Sequence, residues 1–384
     1  MKASFDTIVL GGGVVGACVA AALAELDLNV VLVDRGCIGG QGASRYSGGI
    51  VRLYDPDDRI QALAVHSFGR MTDTPVGRAF ASSIVTTGVY YALDERPADE
   101  ALEFGRDDEA DIYRGRIVSR HAAFEATGAV DPRGDGPVIW EPGGGYGDVR
   151  ASARAVIQHL RRTGTVLENA APREVEDRGD SVVVHFDLGS ISARCAVVAT
   201  GAWANGLLPG HPTVARSIPM VRMHCGRNVP TPVIDTGAAS YMVPAGRGFV
   251  QVGSRARSEA DGPDALGYDD DAIVADACER LARITGQPAF GDPVDIVRGF
   301  DGYTGDGRPL LGRVGEGPLF AAVGFSGIGY KLAVGAATLL ARQVERALRG
   351  GTPSERETEL CAPFDPSRFH AVRAGARQVP EMPR

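Results

Sequence analysis

The sequence lacks the features that would mark a metal, nucleic-acid or membrane protein. Its six cysteines, Cys18, Cys37, Cys195, Cys225, Cys278 and Cys361, stand singly and form no CxxC pair, which removes the usual ligands of zinc and dithiol chemistry. The seven histidines are equally isolated and no HExxH occurs, so no metal site is expected. Basic residues are in deficit: 40 Lys and Arg against 48 Asp and Glu give a formal net charge of −8. The global positive field of a nucleic-acid binder is therefore absent, and no such partner is expected. The longest mostly apolar run, Gly11 to Ala24, is shorter than the roughly 20 residues of a membrane-spanning helix. The amino terminus also runs straight into a glycine turn instead of a signal-peptide pattern. Scattered thiols suit a reducing compartment, and together these absences predict a cytoplasmic protein.

What is abundant is glycine, 51 of 384 residues. No short period orders them, so they imply many tight turns and close backbone approaches. With 44% hydrophobic and 23% charged residues, the composition is that of a soluble globular chain, and its length predicts two packed domains.

The most informative stretch is the amino-terminal one. Asp6-Thr7-Ile8-Val9-Leu10 reads as a buried strand, Val14 to Leu26 as an alanine-rich helix, and Asn29 to Val33 as a second strand ending at Asp34. Between the first strand and the helix lies Gly11-Gly12-Gly13-Val14-Val15-Gly16. Gly11 permits the tight turn, Gly13 lets a pyrophosphate approach the backbone, and Gly16 lets helix and strand pack closely. The helix start, at Val14 and Val15, offers N–H groups and a positive dipole end to phosphates. Asp34, followed by Arg35, can accept hydrogen bonds from ribose hydroxyls. An acid there disfavours a 2′-phosphate and leaves NAD and FAD open.

Later segments point to FAD. Gly39-Gly40-Gln41-Gly42-Ala43-Ser44 follows the second strand, and Ser47 to Arg52 comes soon after. Val197-Val198-Ala199-Thr200-Gly201-Ala202-Trp203, Thr304-Gly305-Asp306-Gly307-Arg308-Pro309-Leu310-Leu311-Gly312 and Val323-Gly324-Phe325-Ser326-Gly327-Ile328-Gly329-Tyr330-Lys331 stand further on. In this order and at these distances they resemble the D-amino-acid oxidase family of flavoproteins, with the last stretch most similar to the monomeric sarcosine oxidase and glycine oxidase branch. The resemblance implies a Rossmann-like α/β FAD-binding domain, with a parallel sheet and helices, built from about 1–80, 146–214 and 296–370. It implies a second, α+β substrate domain with a mostly antiparallel sheet from about 81–145 and 215–295. Within the second domain Ile84 to Tyr91 and Phe249 to Gly253 read as strands, and in the first Asp148 to Arg161 reads as a helix with Ala153, Val156, Ile157 and Leu160 on one face. Residues 371–384 read as a mobile tail. Gly42, Ala43, Ser44, Gly201, Trp203, Asp306, Gly327, Gly329, Tyr330 and Lys331 join the amino-terminal turn as expected FAD contacts. The turn at 324–329 opens an apolar helix from about Tyr330 to Leu348, whose N-terminus suits the negative charge of a reduced flavin.

The same resemblance implies hydride transfer from the α-carbon of an amine to the flavin, with the substrate carboxylate held by Arg52 and Lys331. Four departures refine it. No arginine stands in Gly299-Phe300-Asp301-Gly302-Tyr303, where the glycine oxidase branch has its anchor. No cysteine lies near Gly299, so FAD is expected to be noncovalent. Gln251, in Phe249 to Gly253, takes the place of a lysine that helps oxygen accept electrons. Arg45 and Arg255 replace histidines and would suit a second anionic group if they face the pocket; the alternative is surface arginines paired with acids such as Glu259. The expected partner is a small amine or amino acid bearing a carboxylate, with oxygen or another electron acceptor. An oxidase is favoured over a dehydrogenase, which Gln251 keeps open, and over a 2-hydroxy-acid oxidoreductase, which would need a base such as histidine.

Overall fold

The computed structural model describes residues 5–94, 115–208, 210, 213–288 and 290–369. The tail expected at 371–384 lies outside these. The amino-terminal unit forms as strand Phe5–Leu10, helix Val14–Ala24 and strand Val30–Val33. Phe5–Leu10 pairs in parallel with Val30–Val33 on one side and with Gly189–Val198 on the other. Thr165–Leu167 and Leu319–Val323 extend this parallel core, and antiparallel neighbours at Glu174–Asp177, Val182–Phe186 and Leu310–Arg313 complete eight strands. Both faces of the central strands are covered, which is why they read as unbroken β-branched runs. Val9, Val30, Leu32 and Val197 pack under the helices, while Ile8, Leu10, Val31, Val33 and Val198 form a separate core on the opposite face.

Helix Val14–Ala24 is buried along nearly all its length. Its alanines let it lie between the sheet and the helices Gly329–Arg349 and Val149–Leu160. A methyl group on Gly16 would come within 1.9 Å of the Gly11 carbonyl oxygen, so close helix–strand packing requires glycine there. Helix Val149–Leu160 starts where expected because Asp148 accepts from the N–H groups of Arg150 and Ala151.

A second sheet of nine strands is antiparallel except for one pair, Val233–Asp235 with Val89–Ala92. Its axis is Val214–His224, which pairs with Asp292–Tyr303 on one edge and with Phe249–Gly253 and Glu259–Ala260 on the other. Helix Asp270–Thr285 covers one face through Ile273, Ala277, Leu281 and Ile284. Together the two sheets give the α/β architecture expected, a parallel-cored sheet with helices and a mostly antiparallel one.

Two details differ from the sequence reading. The single strand expected at Ile84 to Tyr91 is two strands in different sheets. Ile84–Thr86 joins Gly145–Gly147 and Ile50–Val51 in a small three-stranded sheet, and Val89–Ala92 enters the nine-stranded one. Gly88 makes the break, with a φ of +73° and no room for a side chain against the Trp140 ring. Strand Asp292–Tyr303 stays in the nine-stranded sheet to its end, so a border at 295/296 falls inside a continuous strand. No described helix is long and apolar enough to cross a membrane.

Candidate active site

A cavity of about 700 Å3 is lined from both sheets. Gly11, Gly13, Val14 and Val15 form part of its wall. Gly11 has a φ of +105°, and a Cβ on it would meet the Ala199 carbonyl at 2.5 Å. The turn can therefore be this tight only with glycine. Ser44, on the short helix Gly42–Tyr46, accepts from the Val14 N–H at 2.9 Å and ties the two glycine segments together. Asp34 accepts from Gly12 N–H at 2.6 Å and from Gly36 N–H at 2.7 Å. Burial raises its pKa, against the lowering effect of those two N–H groups. Arg35 lies over the Trp203 ring, 4.6 Å from its centroid. Asp34, Arg35, Gly42, Ala43, Ser44, Gly201 and Trp203 all line the cavity.

A second part of the wall carries Arg52, Gly327, Gly329, Tyr330 and Lys331. Lys331, in the first turn of helix Gly329–Arg349, is 2% exposed, and its Nζ lies 2.9 Å from Asp55 Oδ2. Arg52 is also buried. Its guanidinium donates to the Tyr54 carbonyl, approaches Asp55 at 3.6 Å and lies over the Tyr91 ring. Glu141 completes the group, accepting from Leu53 N–H at 2.6 Å and Tyr54 N–H at 3.0 Å. Two cations and two acids are thus buried together. Burial, and then the neighbouring Arg52, lower Lys331 to about 8 against the pull of Asp55. Burial also lowers Arg52, but Tyr91, Asp55 and Glu141 together hold it above the usual arginine value.

Some expected site residues lie elsewhere. Gly16 serves helix packing and does not line the cavity. Asp306 is also outside it, bound to Arg368, Thr304 and the Arg308 N–H in a turn. Gln251 sits opposite Arg222, two pairs along the ladder beyond the lining residue Met220, and is not part of the wall. Arg255 is outside the wall too, with its N–H on Asp276. Arg45 is exposed against Gly40 and Tyr46. Glu259, the acid suggested for those arginines, pairs with Arg216. The second anion-binding group therefore has no support.

Sequence reasoning missed Glu141, Tyr241 and Asp301 as site residues. Glu141 reaches the group through backbone bonds to residues 53 and 54, which no local pattern announces. Asp301 was noticed only for not being arginine.

The cavity fits a dinucleotide. Thr200 Oγ1 and Trp203 Nε1 belong to lining residues and are buried without a protein partner, polar atoms that a bound ligand would satisfy. Asp34 keeps lone pairs for ribose hydroxyls beyond its two backbone bonds.

Known proteins agree. Residues 6–343 match the DAO family, described as FAD dependent oxidoreductase. Glycine oxidase of Pseudomonas putida is 29% identical over 72% of this chain and 76% of its own length. The tRNA 5-methylaminomethyl-2-thiouridine biosynthesis bifunctional protein MnmC of Ralstonia nicotianae is 26% identical over 96% of this chain, which spans 61% of that protein. Among solved structures, L-proline dehydrogenase from P. horikoshii superposes with a TM-score of 0.80 at 19% identity, covering 97% of this chain and 99% of that one. Glycine oxidase from Geobacillus kaustophilus gives 0.76 at 21% identity, over 95% and 98%. A family match over that span, on a cavity with the turn, acid and unpaired donors of a dinucleotide site, makes this chain a member of the DAO family of FAD-dependent oxidoreductases.

Proposed function

We propose that the protein oxidises the C–N bond of a small amino or imino acid, with noncovalently bound FAD. The observation that carries this is a single cavity shared by the dinucleotide cradle and the Arg52–Lys331 group. Bound FAD supplies the two-electron acceptor for hydride from the substrate α-carbon. The chain's own residues position the reactants. The Gly11–Gly16 turn and the start of helix Val14–Ala24 would hold the pyrophosphate, and Asp34 the ribose. Arg52 and Lys331 would hold the substrate carboxylate, which must compete with Asp55 and Glu141 for them. The lining residues Ile218, Met220, Tyr241 and Phe300 would exclude water from the reacting carbon.

Two absences among the described lining residues support the details. No cysteine lines the cavity, in keeping with noncovalent FAD. No histidine lines it either, the base that the hydroxy-acid reading called for. We also infer that the two sheets are the cofactor and substrate domains, with the last border after Tyr303.

The product would be an imine, then a carbonyl compound after hydrolysis, with peroxide if oxygen is the acceptor. A dehydrogenase with another acceptor is the second reading. It is favoured by the chain's having only two lysines, Lys2 and Lys331, the latter already bound to Asp55. The deciding experiment is an anaerobic titration of the holoenzyme with amino acids and N-methyl amino acids, followed by air. Bleaching of the flavin absorption with fast recovery identifies an oxidase. Bleaching with slow recovery identifies a dehydrogenase. No bleaching by any of these compounds overturns the proposal.

A further inference from the structure

Asp301 is a cavity carboxylate that the roles above leave unused. It lies on strand Asp292–Tyr303, lines the cavity and is 8% exposed. Its Oδ1 accepts from Gly302 N–H at 2.7 Å and its Oδ2 from Gly327 N–H at 2.8 Å. Among the described residues it has no ion-pair partner. Arg216, directly opposite in the strand ladder, sends its guanidinium to Glu259 at 2.6 Å and over the Tyr303 ring. The contrast with Asp55 and Glu141 is sharp, since those acids are buried beside two cations.

The surrounding wall is apolar and aromatic. Phe300 packs on Tyr46 and Trp203, and Ile218, Met220, Tyr241 and Tyr303 line the same cavity. A carboxylate held in such a wall gains most from an incoming cation. Aromatic faces add to the attraction for an ammonium group. An incoming carboxylate would be repelled.

We propose that Asp301 is a specificity-determining residue that binds a positively charged amine of the substrate, a role that rests on the cavity being the FAD and substrate site. The bound ammonium gives up one proton to Asp301 before hydride leaves its carbon, since only the neutral nitrogen can form the C=N bond. The protein then selects amines and zwitterions over simple carboxylic acids. The carboxylate of a zwitterion would take Arg52 and Lys331 in competition with Asp55 and Glu141, so the two groups would read opposite charges of one small molecule.

The role has a pH signature. Burial raises Asp301 to about 6, against its two N–H partners, so it carries its charge at neutral pH and loses it in mild acid. The charged and titratable groups on the elements around it are Arg216, with its partner Glu259, and Tyr303 on the ladder, Arg45 and Tyr46 on helix Gly42–Tyr46, and Tyr268, whose hydroxyl donates to the Gly299 carbonyl. The turn at 324–329 brings none. The one histidine on these strands, His224, pairs with Asp292 at the far end of the ladder. None of these groups is a histidine, and Lys331, in the same cavity, titrates higher, at about 8, leaving Asp301 as the source of a transition near pH 6.

The test uses the holoenzyme and two ring compounds of similar shape, pyrrolidine as the cation and cyclopentanol as the neutral control. Binding is read from the shift of the flavin absorption between about pH 5 and about pH 8. Pyrrolidine affinity is expected to fall about tenfold per unit below about pH 6, while cyclopentanol binding stays level. Asp301→Asn is expected to weaken pyrrolidine about tenfold or more at neutral pH, flatten its profile and leave cyclopentanol unchanged. A merely structural role in ordering the Gly327 turn would move both compounds alike. Level pyrrolidine binding across the range, no pyrrolidine binding, or an unaltered variant would each overturn the role. If the variant fails to retain FAD, the wild-type profile decides alone. If no amino acid reduces the flavin yet pyrrolidine follows the expected profile, the amine site stands and the reaction assigned above falls.

Discussion

The cradle around Gly11–Gly16 and the charge group around Arg52 both place polar atoms inside the molecule, by different means. The cradle is made of backbone. Asp34 is held by the N–H groups of Gly12 and Gly36, and the approach of helix to strand depends on missing side chains. The charge group is made of side chains from three distant segments, residues 52–55, Glu141 and Lys331, balanced two against two. A backbone site is broken by adding atoms, whereas a balanced side-chain group is broken by removing one charge.

The largest effect on flavin retention is therefore expected from Gly16→Ala. Its methyl would meet the Gly11 carbonyl oxygen at 1.9 Å, and neither backbone can move without opening the turn. A loss of about 3 kcal/mol of stability is expected for such overpacking, and the purified protein should carry little flavin absorption. Retention of FAD at the wild-type level would show that the cradle is less rigid than its geometry implies.

Asp55→Asn should cost about 3–5 kcal/mol, because it leaves a buried excess of positive charge. Adding Lys331→Met should recover part of that loss, since Arg52 and Glu141 then balance one another. Chemical denaturation of the single and double variants measures both. A double variant no more stable than the single one would show that the charges do not act as a balanced group.

Asp301 sharpens the comparison, as an acid held like Asp34 by backbone but without charge balance. Its pKa is raised by burial from the ordinary value of 3.8 to about 6. A raised acid stabilises the fold fully below its unfolded value, and that contribution is lost as pH rises through about 6. The loss is about 3 kcal/mol for a shift of this size. Asp301→Asn lacks this titration, so its stability relative to wild type should rise by about that amount between about pH 4 and about pH 7. Parallel denaturation curves across that range would remove Asp301 from the pH dependence.

The same contrast explains what was legible in the sequence. The amino-terminal strand, turn, helix and second strand stood out because each is local: glycines at fixed spacing, a β-branched run, an acid at its end. Lys331 and Arg52 were found through resemblance, not pattern. Glu141 was not found at all, because its bonds to Leu53 and Tyr54 cross the chain and any acid would have looked the same in sequence. Ile84 to Tyr91 was read as one strand because periodicity cannot show that Gly88 turns the chain from one sheet to another. Asp306 and Gln251 carried family motifs outside the cavity wall, where a turn bonded to Arg368 and the far part of a ladder hold them.

The smallest expected effect tests whether side chains matter to the cradle at all. Arg35 is exposed, and it meets the cavity by lying over Trp203. Arg35→Ala removes one cation–π contact worth about 0.5–1 kcal/mol at such a site. If the cradle is chiefly backbone, FAD should bind only about two- to fivefold more weakly, measured by titrating the apoprotein with FAD and following flavin fluorescence. A loss of a hundredfold or more, about 2.7 kcal/mol, would mean that the exposed arginine holds the cofactor directly and that the cradle depends on charge as the Arg52 group does.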